Sequence, residues 1–190
     1  MGFEDETWWS RLAQPSLHAW GKQGEPVRLV EQCLPKGDEA PKALACYGLL
    51  LHSEREAKEH IWLRFVDGRP VSDLSARFLE WCCTRLEAMG KKALLLIWDN
   101  AAWHNSHKVR HWLCQHNARV KQTGEGVRIL SCYLPTKSPW LNPIEPRWLH
   151  GKRKVVEAER LLSADELADR VCACFGCAHE EHLFIPENLT

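Results

Sequence analysis

Residues 94–104, LLLIWDNAAWH, run an apolar stretch into Asp99 and then into a polar turn. With Lys91 and Lys92 before it, KKALLLIWD reads as a strand buried on both faces that delivers an acid at its carboxyl end. Working outward, FEDETWW (residues 3–9) reads as a strand carrying Asp5. SPWLNPIEPRWLHGKRK (residues 138–154) reads as a proline-punctuated connection into a helix whose start holds Glu145. Two acids at strand positions and one at a helix start supply the hard oxygen ligands that Mg²⁺ prefers. A pair of such ions stabilises both the attacking and the leaving oxygen of an in-line displacement at a phosphodiester.

A chain of 190 residues, 45% of them hydrophobic, is long enough for one domain with a real core and short for two. Lys plus Arg and Asp plus Glu number 25 each, so overall charge argues neither for nor against a nucleic-acid partner. Nine cysteines raise the question of a disulfide scaffold. Their odd number, the chain's size and the lack of a basic-then-apolar leader in MGFEDETWW favour reduced thiols in the cytosol. No apolar run approaches the roughly 20 residues that cross a bilayer. The expectation is a cytoplasmic protein with no membrane partner.

Along the chain, strands and helices alternate. The strand over Phe3–Trp9 is followed by a turn around Gln14, Pro15 and Ser16 and by LHAWGKQGEPVRL, whose glycines suggest a hairpin into another strand. Lys42–His52 and His60–Asp67 read as strands joined by the charged turn SEREAKE. VSDLSARFLEWCCTRLEAMG reads as a helix with Ser72 or Asp73 as cap, Leu74, Phe78, Leu79, Cys82 and Leu86 on one face, and Gly90 as stop. After Asp99 a helix is expected over about Ser106–His116, then a glycine-bearing loop, VKQTGEGV, and a short strand, VRILSCYLP. Pro143 is expected in the first turn of a helix over Ile144–Val156. A last helix is expected from Ser163, in a capping box with Glu166, to about Gly176.

Such an order of elements, with acids at the start, after a central strand and on a late helix, points to an α/β, ribonuclease-H-like mixed sheet flanked by helices. Residues 3–26, 95–113 and 134–153 resemble the catalytic domain of bacterial insertion-sequence DDE transposases related to the mariner superfamily. SPWLNPIEPRW, similar to that family's proline-bracketed acidic motif, is the most specific of the three blocks; DNAAWH is less so, and FEDE alone is weak. Carried over by position, the family's catalytic and metal-binding acids fall on Asp5, Asp99 and Glu145. Glu4 and Glu6 compete with Asp5, but alternate strand residues face opposite ways, so they share the other face. An acid directly after Leu94–Trp98 is expected to be partly buried, where charge is costly unless paired or bound to metal.

The resemblance implies metal-dependent DNA cleavage and strand transfer in transposition, with Mg²⁺ or Mn²⁺ as cofactor. It implies double-stranded DNA as partner, namely transposon ends carrying terminal inverted repeats and a TA target, and self-association on that DNA. It also implies a nucleoid-associated bacterial location. The interval from Asp99 to Glu145 exceeds the mariner pattern, and KQTGEGV reads as an insertion. Residues 1–190 are expected to form a single catalytic domain, with 163–190 as its last helix and tail. The family's helix-turn-helix region is expected to be absent from this chain and supplied, if at all, by a separate amino-terminal DNA-binding polypeptide. Two other functions fit the same residues: an inactive or regulatory fragment that binds DNA, and a related metal-dependent nuclease.

Asn100 and His104 are expected just behind the acids, Asn100 orienting Asp99 or touching DNA and His104 holding a phosphate or a water. Lys137, Arg147, Lys152, Arg153 and Lys154 bracket Glu145 and are expected to hold the phosphate backbone that acids alone would repel. Trp140 and Trp148 are candidates for stacking on displaced bases. CACFGCAHEEH crowds Cys172, Cys174, Cys177, His179 and His182 into eleven residues, a set of zinc-ligand types. The segment begins inside a helix, and four ligands so close seldom complete a tetrahedron, so no stoichiometric zinc is expected.

Overall fold

The computed structural model describes residues 1–12, 33–53, 59–155 and 160–185. The expected hairpin after the first strand lies outside the described residues, as does most of SEREAKE. The elements are β1 (Gly2–Ser10), β2 (Ala43–Leu51), β3 (His60–Val66), α1 (Ser72–Ala88), β4 (Ala93–Trp98), α2 (His107–Thr123), β5 (Arg128–Tyr133), α3 (Glu145–Val155) and α4 (Ala164–Phe175). A single 3₁₀ turn, Pro139–Leu141, precedes α3. The strands form one mixed sheet in the order β3-β2-β1-β4-β5. β1 with β2 and β2 with β3 are antiparallel, while β1 with β4 and β4 with β5 are parallel.

Apolar residues on the two faces of this sheet make two cores. On one face Tyr47, Leu49, Leu96 and Trp98 pack against Phe78 and Leu79 of α1 and Val109 and Leu113 of α2. On the other, Trp9, Cys46, Leu63 and Phe65 pack against Ile144, Trp148 of α3 and Val171 of α4. Trp9, Trp148 and Phe175 meet edge to face, with centroids 5.5 to 6.1 Å apart, and fasten both carboxyl-terminal helices to β1. Gly151 permits that approach, since a Cβ there would lie 2.7 Å from Phe175 and 2.9 Å from Trp9.

Several expected boundaries shift, each for a local reason. β4 is not buried on both faces: Leu94, Leu96 and Trp98 are buried, but Leu95 is 39% exposed, as α3 and α4 cover the β1–β3 side of the sheet. α1 is capped by the backbone of Val71 rather than by Ser72 or Asp73. Those two side chains turn instead to the neighbouring segments, Ser72 Oγ donating to the Trp103 carbonyl and Asp73 pairing with Lys108. α2 continues to Thr123 and stops at left-handed Gly124, so Lys121–Thr123 are a helical turn and not part of an inserted loop. Val109, Leu113, His116 and Val120 are its buried stripe. α3 starts at Glu145, which puts Pro146, not Pro143, in its first turn. Ser163 and Glu166 do form the capping box of α4, which ends at left-handed Gly176. All nine cysteines are free thiols. Among the described residues no helix is long and apolar enough to cross a membrane.

Candidate active site

Parallel pairing aligns Gly2 with Leu96 and Phe3 with Ile97, so two residues further along Asp5 comes level with Asp99 where β4 ends. Glu145 arrives from the other direction, on the first residue of α3. Buried Asn142 anchors that helix start: its Nδ2 donates to the Glu4 carbonyl at 3.0 Å and its own carbonyl accepts from the Glu145 N–H at 3.1 Å. Asp5, Asp99 and Glu145 thereby line one open cavity of about 320 Å³, together with Asn100, Asn142 and the 134–139 segment.

Each aspartate spends one carboxylate oxygen on the protein. Trp148 Nε1 donates to Asp5 Oδ2 at 2.8 Å. Asp99 Oδ1 accepts from the Ala101 N–H at 2.8 Å and meets His104 Nδ1 at 2.9 Å. One oxygen of each aspartate, and the whole carboxylate of Glu145, are left without a hydrogen bond among the described residues. Oriented carboxylates with spare oxygens are a donor set suited to hard divalent cations. Burial, and then the charge of Glu145, raise the Asp5 pKa to about 7 despite the Trp148 hydrogen bond. Asp99 is lowered by its hydrogen bond to His104, and its side chain is half exposed.

Glu4 and Glu6 do lie across the sheet from Asp5. They converge on His104, whose Nε2 is 2.8 Å from Glu6 Oε1 and 3.3 Å from Glu4 Oε2. Among the described residues these three are the only ligand-type set whose atoms all lie within 4.8 Å of one another; Asp5, Asp99 and Glu145 are spread more widely round their cavity. Both ring nitrogens of His104 face carboxylate oxygens, so the ring is an imidazolium. Burial alone would favour the neutral ring, but the Glu4 charge and the hydrogen bonds to Asp99 and Glu6 hold its pKa up at about 11. Burial, then the Glu6 charge, pushes Glu4 well above the usual carboxylate range. Fully buried and stacked on Trp98 at 4.6 Å, His104 backs Asp99 and is closed to phosphate or water.

The other expected residues divide. Asn100 donates to the Leu134 carbonyl, tying the ends of β4 and β5, and does not bond Asp99. Lys137 lines the cavity from a left-handed backbone conformation, φ 58°, rare outside glycine. Arg147 is paired with Glu59. Lys152, Arg153 and Lys154 stand in the last turn of α3, about 10–14 Å along the axis from Glu145, beyond the cavity rather than on it. Trp140 is 73% exposed beside the cavity, whereas Trp148 is buried and occupied with Asp5. Cys172 and Cys177 lie together, and His179 and His182 turn toward each other, so CACFGCAHEEH does not gather into one four-ligand set.

Two residues escaped the sequence reading. Gly48 pairs with Asp5, and a Cβ there would lie 2.3 Å from the Trp148 ring. Its signal was a lone glycine inside an apolar strand, the mark of a close approach. Asn142 carried a weaker signal, a buried amide between two prolines.

The chain belongs to the DDE superfamily endonuclease family, whose sequence model matches residues 3–168. Membership implies use of a divalent metal ion. No curated protein sequence matches the chain. Among solved structures it is similar to the Mos1 transposase paired-end complex with left transposon end (TM-score 0.63, 15% identity, 95% of this chain and 48% of that one). It is similar also to the Mos1 mariner paired end complex with Mn (TM-score 0.63, 14% identity, 95% and 49%) and to the Mos1 strand transfer complex (TM-score 0.58, 14%, 93% and 47%). These likenesses establish the ribonuclease-H-like fold. The chain spans about half the length of the transposase chains it matches.

Proposed function

We propose that residues 1–190 are a single catalytic domain of a DNA transposase, which cleaves DNA strands and joins them to new sites using Mg²⁺ or Mn²⁺ held by Asp5, Asp99 and Glu145. The observation that carries this reading is the shared cavity: three acids from two strands and a helix, the aspartates each held by a hydrogen bond that leaves one oxygen spare. When bound, a pair of divalent ions supplies charge stabilisation to the attacking and leaving oxygens of phosphoryl transfer. The protein's own part is orientation. Trp148 holds Asp5, His104 holds Asp99 with Glu4 and Glu6 behind it, and Asn142 and the Pro139–Leu141 turn hold Glu145.

Lys137, on the cavity wall, meets the phosphate nearest the reacting bond. Arg147, Lys152, Arg153 and Lys154 follow the backbone further along α3, and exposed Trp140 offers a ring to an unpaired base. The substrates on this reading are transposon ends, such as the one held in the Mos1 paired-end complex, and target DNA. The chain would self-associate on that DNA and work with a sequence-reading DNA-binding segment, within one polypeptide or on a separate one.

Strand transfer, assayed with Mg²⁺ or Mn²⁺ in the presence of such a segment, tests this reading. Glu145→Gln and Asp99→Asn should each abolish cleavage and joining while leaving the circular-dichroism spectrum unchanged. Near-wild-type activity in either variant would sink the assignment. Cleavage without joining in the wild type would favour a nuclease.

A further inference from the structure

Away from that cavity, the carboxyl-terminal segment after α4 crosses the edge strand β3. Leu183 bridges to Val66, its N–H donating to the Phe65 carbonyl at 2.7 Å and its carbonyl accepting from the Asp67 N–H at 2.9 Å. Arg85 pairs with Glu180 at 2.7 Å, and Arg64 Nε donates to the Glu181 carbonyl at 2.7 Å. With the intervening residues pinned, His179 and His182 bring their rings together over buried Phe65, at centroid distances of 5.7 and 5.6 Å.

The two rings face each other through Nε2, 3.5 Å apart. Each Nδ1 is 2.7 Å from a carboxylate oxygen, that of His179 from Asp169 and that of His182 from Asp67. A carboxylate can only accept, so both Nδ1 atoms carry the hydrogen, and with the rings neutral both Nε2 atoms present lone pairs. Those lone pairs repel unless a proton or a metal ion lies between them. Two imidazole nitrogens in a tetrahedral zinc site, each about 2.05 Å from the metal, are roughly 3.4 Å apart. A carboxylate on the distal nitrogen is the usual device for fixing the tautomer and raising the basicity of a ligating histidine. Paired imidazoles also favour late first-row divalent ions over Mg²⁺.

We propose that His179 and His182 bind one zinc ion through their Nε2 atoms, with Asp169 and Asp67 as their orienting partners, and that the ion clips the segment after α4 to the end of β3. Water, or a donor from another molecule, completes the coordination. The site uses imidazoles rather than the neighbouring thiols, which departs from the sequence-based expectation of no zinc. Because Asp67 follows β3, Asp169 lies in α4 and the histidines lie beyond α4, a bound ion ties three separate segments.

The test uses the full chain, reduced and stripped with a chelator, and titrated with Zn²⁺ against a chromophoric competitor in excess Mg²⁺. Expected are one tightly bound zinc per chain, a higher melting temperature with zinc, and zinc-dependent shifts of the His179 and His182 ring resonances. His179→Ala and His182→Ala should each weaken binding more than tenfold, and Asp67→Asn by roughly 10- to 100-fold. Co²⁺ in place of zinc should give no thiolate-to-metal charge-transfer band. Should either alanine variant misfold, Asp67→Asn and the ring resonances of the wild type still decide. A charge-transfer band, unchanged affinity in the variants, or no binding by the folded chain would overturn the proposal.

Discussion

Asp5 and Asp99 sit level on neighbouring strands and yet titrate in opposite directions. Asp5 is partly buried beside Glu145 and raised to about 7; Asp99 is half exposed and lowered by His104. In metal-free protein the folded state therefore keeps a proton on Asp5 from about pH 4 to about pH 7 that the unfolded chain has lost. Stability should fall as pH rises through that window, with Glu4 adding in the same direction. Urea midpoints measured with a chelator present should show this slope, and Asp5→Asn should reduce it. His104 acts in the same direction over a higher window: its raised pKa contributes stability that is complete below about 6.5 and lost as pH climbs toward about 11. His104→Ala leaves Glu4 and Glu6 buried without their counter-ion, which should cost about 3–5 kcal/mol in urea denaturation. An unchanged midpoint would show that the ring carries no charge. Asp5, Asp99 and Glu145 stood out in the sequence because each closes or opens a recognisable pattern. Nothing near Asp5 in sequence named Trp148 as its partner, and nothing near His104 named Glu6, because those contacts join residues 143 and 98 positions apart.

At the scale of the element, α4 was legible to the residue, since its capping box and its terminal glycine are local signals. α2 was read short because the charged and amide residues Asn117, Arg119 and Lys121 resemble a loop, although Val120 continues the buried stripe. β4 looked buried on both faces because composition does not record which side of a sheet the later helices will cover. Between β2 and α3 the packing rests on Gly48, where there is no room for a methyl group against Trp148. Gly48→Ala should destabilise by about 1–3 kcal/mol, as overpacking does. Moving Trp148 also releases Asp5, so strand transfer should fall well beyond what the folded fraction explains. Trp148→Phe isolates the second effect, removing the indole donor while keeping most of the ring. Equal activity in Trp148→Phe and wild type would mean that Asp5 holds its place without that hydrogen bond.

For the molecule as a whole, net charge is zero while Lys137, Arg147, Lys152, Arg153 and Lys154 gather around and beyond the cavity. If these side chains meet phosphates, the logarithm of DNA affinity should fall linearly with the logarithm of salt concentration. Each alanine substitution should then reduce the slope by about 0.9. Arg147 should contribute least, since DNA must compete with Glu59 for it. A salt series on the five single variants measures this, and slopes equal to wild type would move the DNA path elsewhere. Trp148 and Asp5, 143 positions apart, also set the timing of the protein's own birth. At about 5–20 residues per second on the ribosome, the first acid emerges roughly 7–30 s before its holder and the third acid do. A nascent chain thus lacks Glu145 and the holder of Asp5 until α3 has been made, and on the proposed function a ribosome that stalls earlier releases a chain without its metal-binding set.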